Sequence, residues 1–319
     1  MSLMRTLLLA GSDNTWLRTH APRLPLMKKA VTRFMPGERV EDALSAAAEL
    51  RSCGIGAVFT QLGENISDAA DAEAVTQHYI EVLNSIHESN LDGHISVKLT
   101  QLGLDVDEGR CVENVRSLAE RAKQLGTFVW IDMEQHAYVD ATLSVYRRTL
   151  ADYSNVGVCL QAYLYRTAND LASLIPLGGP PSQRFGVAGG IRLVKGAYRE
   201  PVDVAYPRKR DVDTNFLALA KVMLGHDARA AGLRAVFGTH DSALIKLIQD
   251  HMAGGHGLDS AEFHLLYGIQ RAEQERLARE RYRVRVLISY GEHWFPWYMR
   301  RLAERPANVL FAARSMLSR

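Results

Sequence analysis

The chain has 319 residues, a formal net charge of +2, 47% hydrophobic and 23% charged residues. That length accommodates one large α/β barrel or two ordinary domains, and the composition supports a sizeable core, so disorder is excluded as the organising theme. The charge balance is too small to recruit nucleic acid, and no stretch approaches the ~18 consecutive apolar residues of a membrane span.

The N-terminal run Leu7-Leu8-Leu9-Ala10 is shorter than a signal-peptide core, so a cytoplasmic location is expected. Residues 1–40 are expected to form an N-terminal helical extension, and residues 41–319 the main domain. The three scattered cysteines, Cys53, Cys111 and Cys159, point to reduced core thiols without a disulfide framework.

From there helical and strand patterns alternate. A helix over Glu41–Arg51 leads to an apolar run at Gly56–Thr60, and a long amphipathic stretch, Asp68–Glu88, leads to His94–Leu99. Val112–Leu125 separates that run from Phe128–Ile131, and Val139–Leu150 separates it in turn from Val156–Leu160. The remaining runs are Ile191–Val194, Arg234–Phe237, Phe263–Leu266 and Val284–Ile288, with helices over Asp213–Ala231, Ser242–His251 and Glu273–Arg281. Runs rich in Val, Ile, Leu and Phe, alternating with helices, indicate buried parallel strands. Eight such units fit a closed (βα)8 TIM-type barrel better than an open sheet. Pro176–Gly190 is rich in Gly and Pro, but it precedes a strand, whereas phosphate-cradling loops follow one; it is expected to be a surface loop.

In a barrel of this kind, chemistry sits at the C-terminal ends of the strands. Lys98 stands at the second end, Asp132 and Glu134 at the third, and Gln161 at the fourth. The fifth strand carries Arg192 and Lys195, the sixth ends in Thr239-His240-Asp241, and the seventh carries Glu262 and His264. Charges beside apolar strands are costly unless paired, so packing alone does not explain them. The Asp132–His136 run suggests metal ligands, but no second His/Asp cluster completes a shell, and no metal is expected. After the eighth strand, Trp294 to Leu302 forms an amphipathic helix with the pair Arg300-Arg301, suited to capturing a carboxylate. These residues describe a barrel enzyme acting on a small anion; lysines at strand ends would equally suit a Schiff-base lyase.

Several of the same segments resemble the proline dehydrogenase family. Ile191-Arg192-Leu193-Val194-Lys195-Gly196-Ala197-Tyr198-Arg199-Glu200-Pro201 looks like its fifth-strand signature, and Ser96-Val97-Lys98-Leu99-Thr100-Gln101-Leu102-Gly103-Leu104 its second-strand motif. Ile131–Glu134, Leu160–Thr167, Thr239-His240, Glu262–Gly268, Tyr290-Gly291 and Arg300–Pro306 match further elements in order, in the manner of the compact bacterial form without a fused aldehyde dehydrogenase module. The resemblance implies FAD in the barrel mouth, L-proline oxidised to 1-pyrroline-5-carboxylate, a quinone acceptor and transient peripheral contact with the membrane. It assigns Arg192, Met133, Gln161, Lys195, Gly196, Ala197, Thr239 and His240 to the flavin. It assigns Lys98, Arg300 and Arg301 to the substrate carboxylate, with Leu266, Leu287 and Trp297 around the substrate. Asp132 would shape and polarise the pocket, beside Arg192 at the reacting centre.

Three positions depart from the family pattern: Leu287 and Trp297 replace tyrosines that line the substrate ring, and His264 replaces a glutamine. The first two motivate an alternative substrate, another cyclic or N-substituted amino acid. A non-catalytic flavin-binding protein is a further alternative.

Overall fold

Strands β1 (Gly56–Gln61), β2 (Gly93–Val97), β3 (Val129–Ile131), β4 (Val156–Gln161), β5 (Gly190–Val194), β6 (Arg234–Gly238), β7 (Glu262–Leu266) and β8 (Arg283–Tyr290) run parallel in chain order. The last pairs with the first from Gly56↔Arg285 to Gln61↔Tyr290, closing the barrel. This is the expected TIM-type architecture. The computed structural model describes His20, Met27 and residues 31–304, apart from 64–65, 176–188 and 255–256. Most of the expected N-terminal extension and of the Pro176–Gly190 loop therefore lies outside the described residues.

The helices around the barrel are α1 (Val40–Ser52), α2 (Ala69–Glu88), α3 (Glu108–Gln124), α4 (Val139–Leu150), α5 (Thr167–Leu174), α6 (Lys209–Leu224), α7 (His226–Ala230), α8 (Ser242–Ala253), α9 (Arg271–Arg279) and α10 (Trp294–Glu304). Asp68 caps α2 through Ala70 N at 2.6 Å, and Asp107 caps α3 through Arg110 N at 2.8 Å. The Asp107 cap starts α3 before the expected Val112. The expected single helix over Asp213–Ala231 breaks at Gly225, whose extended backbone ends α6 and starts α7. The short helix α5 was not expected.

Alternation along each strand sorts side chains to two faces. Outward residues such as Phe59, Ile95, Ile131, Val158, Leu193, Phe237, Phe263, Val286 and Ile288 pack into the large core beneath the helices. The barrel interior is different, because it is stacked from polar and charged layers around one small apolar cluster of Val58, Phe128, Trp130 and Val236, with Leu287 against it. Trp130 fits there because Gly157 and Gly190 leave room: a Cβ on either would lie 2.5 or 2.6 Å from the indole ring. On the barrel floor, Glu262 Oε2 accepts from Arg234 Nη2 at 2.7 Å, and Arg285 Nε lies 2.9 Å from Glu262 Oε1. Glu262 was expected at the mouth, but it is the first residue of β7 and faces the opposite end of the barrel.

The last helix is anchored from the N-terminal side. Trp294 Nε1 donates to Glu38 Oε1 at 3.0 Å, and Val31, Phe34 and Met35 pack with Trp294, Phe295 and Tyr298. Gly291, at φ +110°, turns the chain from β8 into α10, and its N–H donates to Glu38 O at 2.9 Å.

Candidate active site

A cavity of about 510 Å³ opens at the C-terminal ends of the strands. Every residue that the resemblance assigns to flavin or substrate lines it: Lys98 from β2, Asp132 and Met133 from β3, Gln161 from β4, and Arg192, Lys195, Gly196 and Ala197 from β5. Thr239 and His240 follow from β6, Leu266 from β7, Leu287 from β8, and Trp297, Arg300 and Arg301 from α10.

Arg192 sits at the base of the cavity. It is 3% exposed and donates through Nη2 to Ser96 Oγ at 2.7 Å and to Asp132 Oδ1. Ser96 Oγ in turn donates to Asp132 Oδ1 at 2.9 Å. Arg192 Nε lies 2.8 Å from Cys159 Sγ, and the guanidinium carbon sits 5.2 Å from the centroid of the Trp130 ring. Burial works against the charge on Arg192, but its contacts with Cys159 and Asp132 more than offset it and hold the guanidinium protonated.

Beside it, Lys195 Nζ donates to Asp213 at 2.5 Å and to Asp241 at 2.8 Å, and Lys209 reaches the same two carboxylates. Burial pushes the Asp241 carboxyl up, but its bonds to Lys195 and Lys209 outweigh that and hold it below the usual carboxylate range. With its Nζ tied to two carboxylates, Lys195 makes a poor Schiff-base nucleophile, and the lyase alternative loses that candidate.

The loop after β5 approaches the barrel closely. Gly196 stands at φ +112°, and a Cβ there would lie 2.4 Å from the Tyr163 ring, so only glycine fits. The loop is stapled by Glu200, which accepts from His136 N at 2.9 Å and Tyr163 OH at 3.3 Å and also pairs with His136 Nδ1. At the end of β6, Leu266 N donates to His240 Nε2 at 2.8 Å, so the neutral ring carries its proton on Nδ1. Glu134 accepts from Thr100 N at 3.1 Å and Thr100 Oγ1 at 2.8 Å; with His136 engaged by Glu200, the run that hinted at metal ligands is committed to loop contacts.

On the opposite wall, α10 presents Trp297, Arg300 and Arg301 to the cavity, while Trp294 and Tyr298, one turn apart, face the anchoring cluster. The Arg300 guanidinium lies 5.5 Å from the Tyr198 ring centroid. Lys98 is 8% exposed and donates to Gly63 O at 3.2 Å. Cations thus come from β2, β5 and α10, whereas Asp132 and Asp241 are each already engaged with a cation.

Some lining residues escaped the sequence reading. Cys159 lies two positions before Gln161 and Ser289 two after Leu287; strand alternation from those residues would have found both. Cys159 was expected as a core thiol, and burial does push it up to about 12, but it also lines the cavity. Cys53, expected as core, is exposed at the end of α1. Lys209 reaches the cavity from α6, and no local pattern announces it.

Comparison with known proteins follows the same lines. Residues 43–314 match the family model described as proline dehydrogenase. The chain is 36% identical over 289 residues to "Proline dehydrogenase 1" of Bacillus subtilis subsp. natto, covering 90% of each. It is 38% identical over 291 residues to "Proline dehydrogenase" of Deinococcus radiodurans, covering 89% of each. Among solved structures it superposes on proline utilization A (PutA) from Bdellovibrio bacteriovorus, inactivated by N-propargylglycine, with a TM-score of 0.78 at 22% identity. That match covers 95% of this chain and 36% of the PutA chain, and it speaks to the fold. A PutA mutant of Bradyrhizobium japonicum matches with a TM-score of 0.72 at 25% identity, over 90% of this chain and 32% of that one. The chain thus spans about a third of these PutA chains.

Proposed function

The chain belongs to the proline dehydrogenase family, and on that premise we propose that it oxidises L-proline to 1-pyrroline-5-carboxylate with an FAD held at the barrel mouth. The observation that carries the reading is the arrangement of Arg192, Lys98, Arg300 and Arg301 around one cavity, with the Arg192–Asp132 pair at its base.

The cavity fits a flavin. Gln161 donates through Nε2 to Met133 O at 3.3 Å and Glu134 O at 3.2 Å, leaving its buried Oε1 without a partner among the described residues and able to accept from a ring N–H. Gly196 lines the cavity with bare backbone at a point where a Cβ would strike the Tyr163 ring. Arg192, Met133, Gln161, Lys195, Gly196, Ala197, Thr239 and His240 would hold the flavin, which when bound supplies the two-electron acceptor that amino acid side chains lack.

Lys98, Arg300 and Arg301 would bind the substrate carboxylate, fixing a carbon next to the ring nitrogen at the base of the cavity. Leu266, Leu287 and Trp297 would enclose the ring and exclude water. Oxidation removes a hydride from that carbon and a proton from nitrogen, leaving a C=N bond, and it requires the amine to be neutral. Asp132, committed to Arg192 and Ser96, polarises the site and keeps the guanidinium in place. A quinone acceptor and peripheral membrane contact belong to the same proposal by resemblance; among the described residues no helix is long and apolar enough to cross a membrane.

The test is an anaerobic absorbance spectrum of the purified protein before and after L-proline. A yellow protein bleached by proline is expected. A yellow protein bleached only by another cyclic amino acid would transfer the reading to that substrate, which Leu287 and Trp297, both apolar wall residues, specifically motivate. A protein that takes up no flavin would overturn the proposal.

A further inference from the structure

His264 lines the base of the cavity and reaches from there to Glu262 on the barrel floor. It is 4% exposed and stands edge-on to Trp130, with ring centroids 5.4 Å apart. Its Nε2 is 2.6 Å from Glu262 Oε1, and its Nδ1 is 3.4 Å from Arg192 Nη1. The charged and titratable groups facing it are Glu262 on its own strand, Arg192 on β5, Arg285 on β8 and His94 on β2, while Arg234 on β6 acts on Glu262.

The chemistry of these partners leaves one proton arrangement. A guanidinium has donors and no acceptor, so His264 Nδ1 must offer its lone pair to Arg192. Glu262, paired with Arg234 and Arg285, is an anion and accepts only, so His264 Nε2 must carry the hydrogen. An imidazolium would turn an Nδ1–H against the guanidinium. Burial, with Arg192 and Arg285 adding to it, outweighs the pull of Glu262 and lowers the ring's proton affinity to a pKa of about 4, in keeping with the neutral form.

We propose that His264 is a positioning residue for the hydride-transfer centre. As the neutral Nε2–H tautomer, it couples the Glu262–Arg234–Arg285 floor to the Arg192 guanidinium and so fixes how Arg192 faces the cofactor. The inference rests on the reading of Arg192 as the flavin-facing cation. Ser96 and Asp132 engage only Nη2, and Nε faces a thiol, a weak acceptor. His264 is what holds Nη1, and the floor holds His264. A glutamine at this position would do the same work, its carbonyl accepting from Arg192 and its amide N–H donating to Glu262. Leucine would fill much of the space and do neither.

The first test needs no variant. Nitrogen-15 spectra of histidine-labelled protein, with the His264 resonances assigned by their loss in His264→Gln, should show a neutral ring protonated on Nε2 from pH 8 to pH 6. An Nδ1–H tautomer or an imidazolium in that range would overturn the proposal. The second test compares His264→Gln, His264→Leu and Arg192→Lys by steady-state kinetics with proline and by the midpoint potential of the bound flavin. His264→Gln should keep kcat within about threefold. His264→Leu should lower kcat by roughly tenfold or more, the scale of a small misplacement of a reacting group. Its KM should change by less than about twofold, because the carboxylate-binding cations are untouched, and its flavin potential should become more negative. If Arg192→Lys impairs turnover and potential while His264→Leu changes neither, the positioning role fails and the site reading stands. If Arg192→Lys also changes nothing, it is the reading of Arg192 that fails.

Discussion

Gly157→Ala tests how tightly the barrel interior is built beneath the site. The added Cβ would lie 2.5 and 2.7 Å from two atoms of the Trp130 ring and 2.9 Å from Gly190 O. Ordinary carbon contacts begin near ~3.5 Å, so ring or strand must retreat by roughly 1 Å. The ring has nowhere easy to go. Its Nε1 donates to His94 Nδ1 at 3.2 Å, His264 stands edge-on to it, and the guanidiniums of Arg192 and Arg234 lie 5.2 and 5.9 Å from its centroid. Overpacking typically costs about 1–3 kcal/mol, and with a rigid ring as the obstacle the upper end, about 3 kcal/mol, is expected here. Urea unfolding at neutral pH measures it, and kcat should fall with it because Trp130 underlies Arg192. Gly254→Ala is the internal control. There, among the described residues, the new Cβ meets His251 O at 3.4 Å and Asp250 O at 3.7 Å, at φ −71°, so a neutral or slightly stabilising change of up to about 1 kcal/mol is expected. A Gly157→Ala protein within about 0.5 kcal/mol of the parent would refute the tight-socket account. So would an undiminished penalty in a Trp130→Leu background, since removing the ring should remove most of the cost.

Replacing Arg300 and Arg301 together by alanine should remove charge-assisted bonds worth about 1.5–3 kcal/mol each, lowering kcat/KM for proline by roughly two to four decades while flavin absorbance is retained. Loss of flavin instead would assign the pair to the cofactor. Stability should fall as pH drops through the window between the usual histidine pKa and about 4, because burial holds His264 at about 4 and His94 well below its usual range. An unfolded histidine takes up its proton near ~6.5 and the buried ones do not, so the unfolded chain binds more protons in that window; His264 alone should cost roughly 2 kcal/mol between pH 7 and pH 5. Denaturant midpoints across that range measure the slope, which should shrink in His264→Gln. A flat profile would mean that both rings take up protons in the fold as readily as they do in the unfolded chain. Asp241, held below the usual carboxylate range, adds its loss only further down, as pH falls below about 4.

The barrel was readable because its outward strand residues form runs of Val, Ile, Leu and Phe, and those runs sit within two residues of the observed strands. Helix α5 was missed because its eight residues, Thr167–Leu174, are too few to establish a period. Glu262 shows what position in a run does not reveal. One-dimensional pattern says that a charge adjoins the seventh strand, but only the ladder Val236↔Glu262 and Glu262↔Arg283 says that it opens the strand at the floor. The partners of Arg192 are harder still to foresee, because Ser96, Asp132, Cys159 and His264 come from four other strands or their ends, 96, 60, 33 and 72 residues away.

The same non-locality explains why the barrel interior is polar at all. An isolated guanidinium cannot be buried at tolerable cost, so Arg192 beneath the cavity obliges the surrounding strands to supply acceptors at matching heights. Asp132, Ser96 and His264 meet that demand at one level and Glu262 meets it for Arg234 and Arg285 at the next, with Trp130 filling the space between. The other half of the site depends on the N-terminal segment. Glu38 and Phe34 anchor the face of α10 that carries Trp294 and Tyr298, and helix geometry then turns Trp297, Arg300 and Arg301 toward the cavity. A deep guanidinium set by strand register and a clamp set by a docked helix are independent supports. Damage to one should therefore show in kcat and damage to the other in KM.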